Sequence, residues 1–309
     1  IITTKYPLMI ELKNEKIAIP VVLFAGLIWS VGPLVVRYMN DPHLATWQYI
    51  FARGFTIFLV LNLYLFFEEG QNFYKNYFKV GISGLIGGIG LGLAMITFIY
   101  SITNTSAAVT LLCLAAMPFF TALLGFLFLK EKISLNVWAA IIIATIGIII
   151  IAFGNTEKNS LIGLIFGMTS SIGFSVFSVT LRWRKETPKF TTVAIAGLFC
   201  IVFSAIIILT TGSNFFSSSY NSSMFSLHGT LVCIGLILYS IGSKVIPAAE
   251  LTLLSLTEVI GGIFWVWLPL FGINEIPSTN TIIGGFFIFM SIIYYSLTIK
   301  TNRRFIALN

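Results

Sequence analysis

The amino-acid sequence predicts an all-α integral membrane protein with ten transmembrane helices. Charged residues make up only 9% of the 309 positions and hydrophobic residues 57%, whereas an ordinary soluble domain is roughly 25% charged. Long apolar segments recur ten times, and nearly all basic residues fall on one side of them. Because a bilayer core of about 30 Å needs roughly 20 apolar residues per helical crossing, most of these segments are long enough to span it.

The ten predicted spans follow one another with short connections, and each is a run of mainly apolar residues. In chain order they are residues 17–39, 45–67, 80–100, 106–129, 137–153, 161–181, 191–211, 230–243, 248–270 and 279–297. The eighth is the shortest, because the serine-rich stretch before it is interpreted as an outer loop over residues 211–228. The connections leave no room for a separate soluble domain, so we expect the protein to act within the membrane.

Basic side chains divide unequally between the two sides of these spans. The side that holds both termini collects fifteen of the eighteen Lys and Arg residues, the other side has Lys158, and Arg37 and Arg53 lie within helices. Since cytoplasmic loops carry the excess of Lys and Arg, we expect both termini in the cytoplasm and a location in the inner (plasma) membrane. Topology also explains the net charge of +7, so no nucleic-acid partner is expected. Residues 1–16 lack the features of a signal peptide, so we expect the first span to be retained.

No pattern in the sequence indicates a metal, a cofactor or a catalytic group. The three cysteines, Cys113, Cys200 and Cys233, fall within spans and are interpreted as small buried hydrophobic residues. His43 and His228 stand alone near outer loops and are interpreted as solvated. A phosphate-binding GxxxxGK[ST] loop is absent from the chain. We therefore expect no catalytic residue, no metal and no cofactor.

The two halves of the chain resemble each other. The end of the first span reads WSVGPLVVRY and the end of the sixth reads FSVFSVTLRW, so that Arg37 corresponds to Arg182. The fourth and ninth spans also correspond, with Glu131 over Glu275. Because five helices are an odd number, the second copy must enter the membrane from the opposite side. Inverted repeats of this kind place a substrate site near mid-bilayer, where the halves meet.

The chain resembles the EamA family of the drug/metabolite transporter superfamily in three features. These are the ten spans, the inverted repeat of five helices, and the phrase AAMPFFTALLGFLFLKEKIS, which has a weaker counterpart before NEIPSTNTIIGGFFIFMSII. The resemblance implies two inverted five-helix repeats around a central cavity. The implied division is a cytoplasmic segment, a first repeat, a second repeat and a cytoplasmic tail, at residues 1–16, 17–153, 161–297 and 298–309. The family usually has proline after the glutamate of the ninth helix, whereas here Val259 follows Glu258; the fourth helix keeps Pro118.

Glu258 is the one carboxylate placed deep within the ninth span. It lies roughly 15 Å from either end of its helix at 1.5 Å per residue. Burying a carboxylate there costs at least about 2.5 kcal/mol, so it should face a polar cavity, find a partner or stay protonated. Three interpretations remain open: a counter-charge for a substrate ammonium group, a coupling residue that takes up and releases protons, or a structural residue bonded to nearby backbone.

Three arginines lie in or at the ends of spans. Arg53, in the second span, could bind a substrate carboxylate bidentately, extend toward the interface or cap a helix, and the sequence does not choose among these. Arg37 and Arg182 are interpreted as interfacial anchors. We therefore keep Arg53 among the candidate substrate-binding residues and leave the other two out.

By resemblance, the cavity wall comes from the first, third, fourth, sixth, eighth and ninth helices. Pro33 and Pro118 are predicted hinges beside that cavity, because proline removes a helical hydrogen bond. Ser255 lies three residues before Glu258, so both could contact one solute. The complete set of predicted substrate-binding residues is Glu258, Trp29, Ser30, Arg53, Tyr100, Met117, Ser171, Phe174, Tyr239, Ser255 and Trp265.

Glycines recur every four residues in the third span, at Gly84, Gly88 and Gly92. This stretch superficially resembles a nucleotide-binding loop, but a strict GxGxxG is absent. A stripe of small residues lets a neighbouring helix approach closely, so we predict that these glycines serve packing.

The resemblance implies a secondary active transporter that moves small polar or zwitterionic metabolites, such as amino acids, by alternating access, with export favoured and without enzymatic activity. Uptake or exchange of a similar metabolite, and a carrier of lipid or hydrophobic drug molecules, remain alternatives. An intramembrane enzyme would need several converging ionisable groups, and a channel a continuously lined pore; the sequence favours neither. The expected partners are a small-molecule substrate and the lipid bilayer, with no obligatory protein partner.

Overall fold

A computed structural model describes residues 15–131, 133–154, 161–184, 186–273, 276 and 278–306, and the regular secondary structure in these ranges is helical. The α-helices, in chain order, are α1 (Glu15–Trp29), α2 (Gly32–Tyr38), α3 (Thr46–Glu69), α4 (Lys75–Lys79), α5 (Gly81–Asn104), α6 (Ala107–Leu114), α7 (Met117–Leu124), α8 (Leu135–Gly154), α9 (Leu161–Trp183), α10 (Lys189–Thr211), α11 (Ser219–Gly242), α12 (Ala248–Ser255), α13 (Thr257–Trp267) and α14 (Thr279–Ile306). A π-helical turn, Gly125–Leu129, continues α7, and short 3-10 turns, Gly70–Tyr74 and Pro269–Phe271, follow α3 and α13.

Eight helical stretches in the described part of the chain are long and apolar enough to cross a membrane. They are formed by α1 with α2, α3 with α4, α5, α6 with α7, α9, α10, α11, and α12 with α13. Two shorter apolar stretches, Leu135–Ile150 in α8 and Ile282–Tyr295 in α14, occupy the positions of the fifth and tenth predicted spans. The predicted all-α membrane architecture is confirmed, and these elements agree with the count of ten.

The eighth span is longer than the sequence indicated. Helix α11 begins at Ser219, within the stretch interpreted as an outer loop, and not at residue 230. The Ser218 hydroxyl caps the helix by accepting a hydrogen bond from Asn221 N at 3.2 Å. The Asn221 side chain in turn donates to Asn40 O at 2.8 Å. The prediction was wrong because polar residues in the first turns of a helix lower its hydropathy without preventing helix formation.

Three of the membrane-spanning elements are broken near their middle. The breaks fall at residues 30–31 between α1 and α2, at 115–116 between α6 and α7, and at Leu256 between α12 and α13. Pro33 and Pro118 lie in the first turn of α2 and α7, where a missing N–H costs little. The two predicted hinges therefore lie directly after breaks.

The break between α12 and α13 has no proline in the turn that follows it, since Val259, and not proline, follows Glu258. Thr257, the first residue of α13, donates its hydroxyl to Leu23 O of α1 at 3.2 Å. A methyl group on Gly26 of α1 would lie only 2.0 Å from Thr257 Oγ1, so α1 packs directly against the break. In the fourth span a proline lies at the helix break. In the ninth span the break is instead a place where α1 packs closely.

The contacts between helices are symmetrical between the two halves. Helix α5 packs on α9 as α1 packs on α11, and α5 packs on α10 as α3 packs on α11. Helices α3 and α10, and likewise α8 and α14, pack on each other as equivalents. These pairings support the predicted repeat of five helices, while the repeat boundaries stay a prediction.

The glycine stripe of α5 packs against α10, as predicted. A methyl group on Gly88 would lie 2.6 Å from Ile195 Cγ2, and one on Gly92 would lie 2.6 Å from Phe199 Cδ1. Side chains at these positions would force the two helices apart.

The arginines at the ends of α2 and α9 bind backbone carbonyls of neighbouring elements. Arg37 donates to Ile102 O and to the carbonyl of residue 105, each at 3.4 Å. Arg182 donates to Ile246 O at 2.8 Å and forms an ion pair with Glu131, Nε to Oε1, at 2.8 Å. Both therefore hold helix ends together, which is a more specific role than the predicted anchoring at an interface. Glu275, the sequence equivalent of Glu131, lies outside the described residues.

Candidate functional site

A small cavity lies at the centre of the bundle, beside the three helix breaks. Its volume is about 60 Å³. We call it the central cavity, and it is lined by Trp29, Arg53, Leu91, Ala94, Met95, Phe98, Leu114, Met117, Ser170, Phe174, His228, Val232, Leu236 and Glu258. Trp29 ends α1, Met117 begins α7 and Glu258 lies in the first turn of α13, so each broken element brings a residue from its break to the cavity.

Arg53 of α3 is buried beside the central cavity with much of its hydrogen-bonding capacity unused. Its side chain is 5% exposed, and Nε and Nη1 have no hydrogen-bond partner among the described residues. The guanidinium carbon lies 5.6 Å from the ring centroid of Phe98, within range of a cation–π interaction. Gly229 of α11 packs next to the Arg53 backbone, where a methyl group would lie 3.2 Å from Arg53 Cα. The burial excludes extension toward the interface.

Glu258 lines the same cavity. Within the described residues, its carboxylate has no hydrogen bond and no basic nitrogen within 4.0 Å, Arg53 included. It lies in the first turn of α13, where the helix dipole favours a negative charge. The interpretation as a structural residue bonded to nearby backbone therefore has no support among these contacts. The central cavity therefore holds one acidic side chain, Glu258, and one basic side chain, Arg53. Each has hydrogen-bonding atoms that remain available to a ligand.

Aromatic rings close the central cavity on the side toward the end of α11. Trp29, Phe174, Phe177 and Tyr239 form this aromatic layer, with ring centroids 5.7 Å apart for Trp29 and Phe174, 5.6 Å for Trp29 and Tyr239, and 5.2 Å for Phe174 and Tyr239. Tyr239 shares a hydrogen bond with Ser178, at 2.7 Å between the hydroxyl oxygens. The ring contacts and this hydrogen bond join three helices, α1, α9 and α11.

The position of Trp29 depends on a glycine. Its indole Nε1 donates to Val232 O of α11 at 3.2 Å. A methyl group on Gly235 would lie 2.1 Å from the same Nε1, which is far inside contact distance. Glycine at residue 235 therefore permits the indole to pack directly against α11.

His228 is a cavity residue that the sequence interpretation missed. It was interpreted as solvated, but it is 2% exposed, and its Nδ1 shares a hydrogen bond with the hydroxyl of Tyr49. Tyr49 stacks on Phe225, with ring centroids 4.7 Å apart, which fixes the tyrosine. The interpretation was wrong because α11 was predicted to begin after residue 228, so no signal placed this histidine inside a helix.

Five of the predicted substrate-binding residues meet at the central cavity, namely Glu258, Trp29, Arg53, Met117 and Phe174. The structure does not bring the other six to it.

Ser30, Trp265 and Ser255 lie outside the cavity lining because their polar groups have other partners. Ser30 donates to Leu27 O at 2.6 Å and accepts from Trp265 Nε1 at 2.9 Å. Ser255 is fully buried and donates to Thr252 O at 2.8 Å. The predicted pairing of Ser255 with Glu258 does not arise, because the helix is interrupted at Leu256 between them.

Ser171, Tyr100 and Tyr239 are also placed away from the cavity lining. Ser171 donates to the backbone carbonyl of Cys113. Tyr100 packs between Trp47 and Phe166, with ring centroids 5.1 and 5.0 Å away. Tyr239 is fully buried in the aromatic layer, behind Trp29 and Phe174.

The described residues contain no group of three His, Cys, Asp or Glu side chains placed to hold a metal ion. The charged side chains in the lining of the central cavity are those of Arg53 and Glu258, and His228 adds its ring nitrogens.

Comparison with known proteins relates the chain to transporters. Residues 16–153 match the EamA-like transporter family. Two relatives from Helicobacter pylori, strains J99 and 26695, are each named "Uncharacterized transporter" and are 28% and 27% identical over 169 residues. That alignment covers 54% of this chain and 56% of each relative, so the chain spans just over half the length of the relatives it matches.

A solved structure, titled "Crystal structure of protein", shares the fold. Its TM-score is 0.66 at 17% sequence identity, and the match covers 92% of this chain and 98% of that one. The architecture of both halves therefore occurs in a known structure. The predicted resemblance is confirmed over residues 16–153, the part of the chain that matches the EamA-like transporter family.

Proposed function

We propose that the protein is a secondary active transporter that moves small polar or zwitterionic metabolites, such as amino acids, across the inner membrane by alternating access. The observation that carries this proposal is the presence of Arg53 and Glu258 in the lining of one cavity, where neither forms an ion pair or a hydrogen bond with the described residues. A zwitterion presents a carboxylate and an ammonium group, which are the complements of these two charges. Neither an anion nor a cation alone would satisfy both.

Arg53 and Glu258 each supply a specific interaction. The planar guanidinium of Arg53 can hold a carboxylate through two parallel hydrogen bonds, which gives both strength and orientation. Glu258 can accept hydrogen bonds from an ammonium group, and the rings of Trp29 and Phe174 add cation–π attraction. Because Arg53 is buried, its attraction for a ligand carboxylate is stronger than at a protein surface.

The size of the cavity favours a small solute. A volume of about 60 Å³ is well below the roughly 300–1,000 Å³ of pockets for drug-sized ligands. The two charged groups also disfavour a lipid or a hydrophobic drug, which would leave both without a partner. Amino acids and compounds of similar size are therefore the preferred substrate class.

Alternating access requires the walls of the site to move. The breaks in the first, fourth and ninth spans lie beside the cavity, and Pro33 and Pro118 lie in the first turn of the segments after two of them. Discontinuous helices of this kind frame the substrate sites of many secondary transporters. We assign export as the direction on the basis of the family resemblance, and uptake or exchange would use the same site.

Solute counterflow in proteoliposomes tests the transport function. Vesicles loaded with unlabelled solute are diluted into the labelled compound, and amino acids, polyamines and nucleosides are screened with the full-length protein. We expect transient accumulation of a labelled amino acid or related zwitterion. Accumulation of polyamines or nucleosides alone would replace the proposed substrate class, and the absence of any exchange by folded protein would contradict the transport of small metabolites.

A further inference from the structure

A second cavity, of about 460 Å³, lies near the ends of α9 and α11 and the start of α10, on the predicted cytoplasmic side. We call it the basic cavity, because Arg182, Lys189 and Lys244 line it. Glu69 is the acidic residue in its lining. The described residues therefore give it an excess of positive charge.

The basic cavity is separate from the central cavity. On α11, Leu236 lines the central cavity, Tyr239 belongs to the aromatic layer, and Ser240 lines the basic cavity. On α9, Phe174 lines the central cavity, Leu181 lines the basic cavity, and Phe177 of the aromatic layer lies between them in the sequence. The aromatic layer thus lies between the two spaces.

The charges in the basic cavity are only partly neutralised. Arg182 is paired with Glu131, and the Glu69 carboxylate accepts two hydrogen bonds from Asn76 Nδ2, at 2.8 and 2.9 Å. Lys189 Nζ donates to the neutral Ser243 hydroxyl at 2.8 Å. Within the described part of the chain, neither Lys189 nor Lys244 has a carboxylate within 4.0 Å. Neither lysine amino group therefore has an acidic partner among these residues.

Two buried hydroxyls in the lining have no hydrogen-bond partner. Thr191 and Ser240 are fully buried, and neither Thr191 Oγ1 nor Ser240 Oγ is bonded within the described residues. A buried polar atom without a partner costs about 1–3 kcal/mol. A ligand in the basic cavity that accepts hydrogen bonds would remove this cost.

The start of α10 adds backbone donors to the same lining. Lys189, Phe190 and Thr191 are its first residues, and no side chain caps it, because Pro188 occupies the capping position. The first N–H groups of a helix lack partners within the helix and attract anions, phosphate above all. The helix end, the two lysines and the two hydroxyls are therefore independent indications of one kind of ligand.

We propose that the basic cavity is a binding site for a phosphate group, held by the start of α10, Lys189, Lys244 and the hydroxyls of Thr191 and Ser240. A phosphate offers at least three acceptor oxygens that point in different directions, which suits donors that come from two helices and a helix end. The group belongs to a soluble phosphorylated compound or to a lipid headgroup. The proposal does not depend on the solute that the central cavity transports.

Isothermal titration calorimetry of the purified full-length protein with inorganic phosphate, at constant ionic strength and after delipidation, tests the site. We expect saturable binding that weakens at least tenfold in Lys189→Gln. Lys79→Gln is the matched control, because Lys79 is exposed and lies outside the cavity lining. Thermal unfolding establishes that each variant is folded.

Thr191→Val is the variant that separates binding from structure. Valine has nearly the shape of threonine, so removing an unpartnered buried hydroxyl should leave the unfolding temperature unchanged or raise it. The same change should weaken phosphate binding several-fold. Lowered stability with unchanged phosphate binding would show that the hydroxyl has a structural role and would overturn its assignment to the site.

Nanodiscs of phosphatidylcholine, prepared with and without phosphatidic acid, identify the source of the phosphate. Loss of inorganic phosphate binding when phosphatidic acid is present would assign the site to a lipid headgroup. Equal binding in both nanodiscs would assign it to a soluble compound. The absence of saturable phosphate binding by wild-type protein in detergent and in both nanodiscs, or equal binding by folded Lys189→Gln, would overturn the proposal.

Discussion

Arg53 of α3 and Glu258 of α13 face one cavity and do not touch each other: no nitrogen of the arginine lies within 4.0 Å of a carboxylate oxygen of the glutamate. An ion pair with no other function would be expected to close up, because an isolated buried charge is expensive. Two opposite charges held apart across a cavity instead leave room for a molecule that carries both complements. This separation is the structural basis of the proposed selectivity for zwitterions.

The fit of Trp29 against α11 predicts a strong effect of Gly235→Ala. The added methyl group would lie 2.1 Å from Trp29 Nε1, so the indole must move and lose its hydrogen bond to Val232 O. We expect a loss of about 1–3 kcal/mol in the free energy of unfolding, which is typical of overpacking, together with reduced counterflow. Denaturant unfolding in detergent measures the first effect.

Gly285→Ala is the matched control for that substitution, because a methyl group there would meet nothing within 4 Å. It should leave unfolding unchanged or raise stability slightly, since alanine is favoured over glycine in helices. Equal effects of the two substitutions would show that Trp29 does not depend on residue 235.

Two buried tyrosines are expected to differ in their contribution to stability. Tyr49→Phe removes the hydroxyl that is bonded to His228 Nδ1, leaves that nitrogen without a partner and should lower the free energy of unfolding by about 1–3 kcal/mol. Tyr239→Phe should lower it less, because Ser178 also donates to Phe174 O at 2.9 Å. Thermal unfolding of both variants measures the order, and a larger loss in Tyr239→Phe would contradict the hydrogen-bond assignment.

The contacts of Arg182 predict that its partner carboxylate matters less than the arginine itself. Glu131→Gln removes one partly exposed ion pair and should cost at most about 1 kcal/mol. Arg182→Gln also removes the hydrogen bonds to Ile246 O and Ser243 O and should cost more. Denaturant titration compares the two variants, and an equal loss would mean that the carbonyl contacts contribute nothing.

Particular residues show how far the sequence alone can predict this site. Arg53 and Glu258 were recognised because a charge in an apolar span is expensive and therefore informative. Serines gave no such signal: Ser30 and Ser255 were placed at the cavity, but each donates to a carbonyl of the preceding turn, a local bond that hydropathy cannot reveal.

His228 was missed for the opposite reason. Its polar neighbours Ser222, Ser223 and Ser226 lower the hydropathy of the first turns of α11, so the helix was predicted to start too late. The break before Glu258 was equally hidden, since packing of α1 against Thr257, and no proline, accompanies it. The fold class, the number of spans and the charged residues within them can thus be recognised from the local sequence. The ends of helices and the hydrogen-bond partners of hydroxyl groups depend on tertiary contacts.

The central claim is that Arg53 and Glu258 recognise the two charges of one substrate. Calorimetric binding of three matched ligands tests it most directly: an amino acid that exchanges in counterflow, the amine that lacks its carboxylate, and the acid that lacks its amino group. We expect wild-type protein to prefer the amino acid at least tenfold over either analogue, a difference of about 1.4 kcal/mol or more. The Arg53→Gln variant should bind the amine as well as the amino acid, because it no longer recognises the carboxylate. The Glu258→Gln variant should bind the acid as well as the amino acid, because it no longer recognises the ammonium group.

Arg184→Gln and Glu186→Gln are the matched controls, because both residues are exposed and lie outside the central cavity, and they should keep both preferences. Unchanged preferences in folded Arg53→Gln and Glu258→Gln would contradict the account, because the two charges would then take no part in selecting the substrate.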